Sequence, residues 1–85
     1  MSDFPRQTAD LDISEVEDGL VVFEPTARRV HHLNVTITLV FELCTGANSV
    51  EQITSLVQTA FALPTPPATE VAAALESLRT ALLVS

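Results

Sequence analysis

Leu33-Asn34-Val35-Thr36-Ile37-Thr38-Leu39-Val40-Phe41-Glu42-Leu43-Cys44-Thr45-Gly46 carries two conflicting periodicities. Val35, Ile37 and Leu39 alternate with Thr36 and Thr38, which is the pattern of a strand rich in β-branched residues. Ile37, Val40, Phe41 and Cys44 recur instead at helical spacing, with Asn34 where an N-cap is wanted and Gly46 where a helix ends. The two boundary signals favour a helix over Val35 to Cys44, and the other elements are placed around it.

Downstream, Ser49 and Gln52 form a capping box ahead of Ile53, Leu56, Val57 and Phe61, which predicts a second helix ending before Pro64. Thr65-Pro66-Pro67 suits the start of a third helix, whose apolar face is Val71, Leu75, Leu78 and Leu82. Ala72-Ala73-Ala74 adds helix propensity there and lets another backbone approach closely. Upstream, Leu11, Ile13 and Val16 alternate, and Asp18-Gly19 suits the positive φ of a tight hairpin before a returning strand, Leu20 to Glu24. Pro25-Thr26-Ala27-Arg28 reads as a second turn and Arg29 to Leu33 as a third strand. The expected architecture is α+β, a three-stranded antiparallel sheet followed by three helices, with the outline of a winged helix-turn-helix.

A chain of 85 residues supports one domain, and one of this size buries only about 60–65% of its unfolded surface. Met1 to Asp10 is polar and expected to be a flexible segment, with the domain running from Leu11 to Ser85. The net charge of −7, from eleven carboxylates against four arginines and no lysine, has the wrong sign for neutralising phosphates. There is no apolar run long enough to span a bilayer and no signal-peptide pattern, so a cytoplasmic location is expected. Cys44 is the lone cysteine, which leaves no internal disulfide and reads as a buried structural thiol.

Taken in order, Asp18-Gly19, Leu33-Asn34, Leu43-Cys44-Thr45-Gly46 and Ser49-Val50-Glu51-Gln52-Ile53 resemble the pattern of the PqqD-like family. These are small domains that recognise the leader peptides of ribosomally made, post-translationally modified peptides. The match covers nearly all of Leu11 to Val84, and departs from the family where Val35-Thr36-Ile37-Thr38 replaces a stretch of small residues. The resemblance implies a peptide-binding adaptor that does no chemistry and holds no cofactor or metal. It implies a leader docked as an extra strand on the third strand, in the groove beside the third helix. The residues that correspond are Arg28, Arg29, Val30, His31 and His32 on one side and Val71, Ala74, Leu75, Leu78 and Arg79 on the other. Arg28, Arg29 and Arg79 would then form a cationic border suited to a leader with acidic residues. The implied second partner is a maturation enzyme, either a radical-SAM protein as in pyrroloquinoline quinone synthesis or a leader peptidase as in lasso peptide synthesis. An exposed edge strand also suits pairing with a second copy in a homodimer.

Other chemistries fit the residues less well. His31 and His32 are adjacent on a strand, point to opposite faces and cannot share a metal ion. Gly46-Ala47-Asn48-Ser49-Val50-Glu51 resembles the approach to the modified serine of an acyl or peptidyl carrier protein, which makes Ser49 the alternative site. Asn48 replaces the aspartate of that motif, and the hairpin signal lies where a carrier has a helix. A recognition helix for DNA is excluded by the second helix, Val50 to Phe61, which has no Lys or Arg. No nucleophile elbow, Gly-rich loop or convergent His-carboxylate spacing offers a catalytic site.

Overall fold

The structure, a computed structural model, describes residues 4–85. It consists of β1 (Asp12–Val16), β2 (Gly19–Glu24), β3 (Arg29–Leu33), α1 (Val35–Leu43), α2 (Val50–Ala60) and α3 (Ala68–Thr80). The strands form one antiparallel sheet in the order β1-β2-β3, and the three helices follow it in sequence. The expected α+β architecture is therefore the one observed.

Strand periodicity sets the core. On β2, Leu20, Val22 and Glu24 point toward the helices and are buried, while Val21 and Phe23 point outward. Glu24 is at the end of the strand, where its carboxylate accepts the backbone N–H of Ala27 and so closes the β2–β3 turn. Cross-strand pairing carries the alternation into β3: Leu33 stands opposite Leu20 and His31 opposite Val22, on the helix side. Val30 and His32 lie on the outer face opposite Phe23 and Val21. The β1 strand is exposed along its whole length. The molecule is consequently thin, with extents of 38 × 34 × 18 Å.

The first hairpin is one residue out of step with the expectation. Val16 pairs with Gly19, so Glu17 and Asp18 form the tip, and the positive φ of 150° falls on Gly19 alone. Glycine is needed there because a Cβ would run into the carbonyl of Leu33 on the neighbouring strand.

Helix α1 resolves the conflict at Val35–Thr38. The Asn34 side chain accepts the N–H of Ile37 at 2.9 Å, and Thr38 Oγ1 donates to Leu33 O at 3.1 Å. Satisfied backbone donors at the first turn outweigh the weak strand preference of the threonines. Asn48 Nδ2 donates to Leu43 O at 3.0 Å near the other end, and Val40 and Phe41 enter the core. On α2 the capping box is complete: Gln52 N donates to Ser49 Oγ at 3.1 Å and Ser49 N to Gln52 Oε1 at 2.7 Å. Ile53 and Val57 are buried, whereas Leu56 and Phe61, expected on the same face, are exposed.

Val71, Ala74, Leu75 and Leu78 of α3 complete the core. The expected continuation to Leu82 is replaced by a break. The helix ends at Thr80, Leu82 takes a φ of 63° and is exposed, and Leu83 and Val84 take the core positions instead. Leu83 N donating to Leu78 O closes that turn, which turns the next two side chains inward.

The folded body also begins earlier than Leu11. Pro5 is buried, Gly46 N donates to Pro5 O, Gln7 N donates to Cys44 O, and Thr8 N donates to Leu83 O. The Gln7 side-chain amide donates to Phe41 O at 2.9 Å, at the C-terminal end of α1. Residues 1–3 of the segment expected to be flexible lie outside the described residues. The polar sequence hid these ties because most are made by the backbone.

Candidate functional site

A three-stranded sheet in the order β1-β2-β3 has two edges with unpaired backbone groups. They differ in surroundings. The β1 edge has exposed residues throughout and is flanked by the carboxylates Asp10, Asp12, Glu15, Glu17 and Asp18. The β3 edge runs beside α3, so a chain paired to it would have a helix as its second wall.

The hollow between β3 and α3 is built from unlike parts. Arg29 and His31 of β3 face Ala73, Glu76, Ser77 and Ala81 across it. Deeper, a cavity of about 300 Å³ is lined by His31, Leu33, Ile37, Ser77, Leu78 and Leu83. Ala73, Ser77 and Ala81 recur one helical turn apart and keep this side of α3 low, leaving room for an added backbone. Among the polar residues of the hollow, His31 stands apart. Its Nε2 is buried and has no hydrogen-bond partner among the described residues. A buried imidazole nitrogen in that state costs free energy that a bound donor or acceptor would recover.

The structure distributes the ten residues corresponding to the peptide-binding set over several places. Arg29, Val30, His31, His32, Ala74 and Leu78 line hollows of this groove, although Ala74 and Leu78 are almost wholly buried. Val30 is exposed on the outer sheet face, and so is His32, whose Nε2 lies 3.2 Å from Asp18 Oδ1. Arg28 sits in the β2–β3 turn at a φ of 55°. Val71 and Leu75 are sealed in the core, and Arg79 is half-buried on α3. Of the residues that line the α3 wall, Ala73 belongs to the alanine run expected to admit another backbone, whereas nothing in the apolar pattern marks Glu76, Ser77, Thr80 and Ala81. Apolar periodicity identifies the helix face that packs on the core, and the groove uses the flank beside it. The small residues at i, i+4 and i+8 were the available signal.

The remaining candidates are accounted for by structure. Ser49 is committed on both sides to the α2 capping box, and a hairpin precedes it where a carrier protein would have a helix. The Cys44 thiol is fully buried and donates to Val40 O at 3.1 Å. No helix of the described residues is long and apolar enough to cross a membrane.

A family model described as Coenzyme PQQ synthesis protein D (PqqD) matches residues 19–84, a span from the start of β2 to the end of the core. No curated protein and no solved structure matches the chain.

Proposed function

Because the chain belongs to the PqqD family, we propose that it is a non-catalytic adaptor that binds the leader peptide of a ribosomally made precursor and presents it to a maturation enzyme. The leader adds as a strand to the free edge of β3 and lies against α3. The observation that carries this reading is the pairing of an open sheet edge with a helix wall of small residues and an unsatisfied His31 nitrogen between them. Backbone hydrogen bonds on β3 supply affinity and alternate leader side chains, pointing into the groove, supply specificity. Arg29 and His31 favour an acidic or hydrogen-bonding leader side chain beside an apolar one.

The enzyme that receives the leader is a radical-SAM maturase or a leader peptidase, and adaptor binding raises the local concentration of the precursor at its active site. Ordering a disordered leader costs roughly 2–5 kcal/mol, so an affinity in the micromolar to nanomolar range is expected rather than a tighter one. The β1 edge is less suited to the leader, since it has no helix beside it and its carboxylates would repel an acidic strand.

The test is a titration of the protein with the leader half of the precursor encoded beside it, read by backbone amide shifts. Shifts concentrated on Arg29–Leu33 and on Ala73, Ser77 and Ala81 are expected. Binding with shifts confined to Asp12–Val16 would move the site to the other edge, and absence of binding would remove the leader from the account.

A further inference from the structure

The groove does not stop where β3 stops. Beyond Leu33 it continues as a hollow between α1 and α3, lined by Asn34, Ile37, Ala73 and Ala74, with Thr36 and Glu70 at its far end. Thr36 and Glu70 are also the near wall of a larger cavity, about 540 Å³, between the end of α2 and the start of α3. Shared lining residues thus join the hollows into one path along α3. From Ala68 to Ala81 that path is about 20 Å long at the rise of a helix, the span of about six residues of extended chain. The five residues of β3 run beside its Ala73 to Ala81 part and stop short of Ala68.

The terminal cavity has its own chemistry. Val57, Phe61, Leu63, Pro64 and Pro67 give it an apolar lining, and Glu70 is its one charged lining residue. Phe61 and Leu63 are large apolar side chains left 38% and 37% exposed, although α2 has a core face available. They are held in place by backbone geometry: Phe61 N donates to Val57 O, Leu63 N donates to Gln58 O, and Ala62 between them has a φ of 52°. A non-glycine residue adopts that conformation only against steric resistance. The prolines stiffen the opposite rim, so an occupant would lose little affinity to ordering of the loop.

We infer that this cavity between α2 and α3 is a second subsite of the leader groove, taking an apolar, uncharged side chain from the leader residues that flank the strand-forming stretch. The inference rests on the leader reading and extends it, since continuity with the β3 groove is what selects the leader as the occupant. An acidic side chain is disfavoured by Glu70, which has no arginine beside it in the cavity lining, whereas Glu76 in the β3 hollow is accompanied by Arg29, so the leader carries its acidic residues near Arg29 and its apolar anchor at the other end.

The experiment compares the full leader with leaders truncated from each end, titrated into the wild-type protein and into Phe61→Ala and Thr69→Trp. The first variant empties the wall. The second fills the cavity from an exposed position on its lining without touching the core, and serves if Phe61→Ala folds poorly. One truncation is expected to weaken wild-type binding about 10-fold, the equivalent of about 1.4 kcal/mol, and both variants to lose the same amount with full leader and nothing further with that truncated one. Amides of Thr36, Phe61 and Leu63 should shift with the full leader only. Equal binding of full and truncated leaders, with shifts on β3 but none at these amides, would overturn the subsite and leave the leader reading standing. Failure of every leader to bind would overturn both. Shifts at Phe61 and Leu63 that grow with protein concentration alone would assign the cavity to a second copy and overturn the inference.

Discussion

His31 stands directly across from Val22 in the β2–β3 ladder, which turns its imidazole toward the helices and leaves Nε2 buried with no partner among the described residues. An unsatisfied buried polar atom is a stability cost that persists only if something else recovers it. His31→Leu is therefore expected to stabilise the free protein by about 1 kcal/mol and to weaken leader binding in the same preparation. Urea unfolding and a leader titration measure the two effects. A variant that loses both stability and affinity would show the imidazole to be a packing element instead.

Gly19 combines a φ of 150° with the close approach of the Leu33 carbonyl. Gly19→Ala should cost about 3 kcal/mol or more, since a strained backbone and a steric clash act together. Asp18→Ala, one position earlier at the exposed tip, should fall within about 0.5 kcal/mol of wild type. Thermal melts of the pair give the comparison, and equal melting points would sink the argument.

The reciprocal bonds between Ser49 and Gln52 predict that Ser49→Ala lowers stability by about 1 kcal/mol. Leader affinity should not change, because the cap is at the start of α2, away from β3 and at the opposite end of the helix from Phe61. Incubation with a phosphopantetheinyl transferase and coenzyme A should add no mass to the wild-type protein. A mass increase lost in Ser49→Ala would return the serine to the role of a carrier site.

Cys44 is sealed in the core with its thiol directed at Val40 O. Thiol reagents reach such a group only through opening of the structure, so modification in native buffer should be slow and should accelerate with denaturant. Rapid labelling of the folded protein would contradict the burial.

The sequence made most of the architecture legible because local signals there agreed with one another. Asn34 and Gly46 bracketed α1 despite the alternation of Val35, Ile37 and Leu39, and the Ser49 and Gln52 pair fixed the start of α2. The third strand was placed well enough to assign His31 and His32 to opposite faces, as the register has them. Three things were not legible. Backbone bonds hold Pro5 to Thr8, and backbone groups are the same in every sequence. A left-handed Leu82 shifted the last core positions to Leu83 and Val84, a change that heptad-like spacing could not anticipate. Along the α3 wall of the groove, Glu76, Ser77 and Ala81 have no apolar periodicity to announce them.

Ser85 N donates to Arg6 O and Thr8 Oγ1 reaches Leu82 O, so hydrogen bonds join positions 79 and 74 residues apart. Leu83 and Val84, between these ties, are part of the core itself. During synthesis the helices and the sheet can form early, but the core stays open on one side until the last of these residues has left the ribosome. Productive folding thus waits for Leu83 and Val84, and a ribosome that stalls before Leu83 would hold a domain with its apolar interior still exposed to chaperones and proteases.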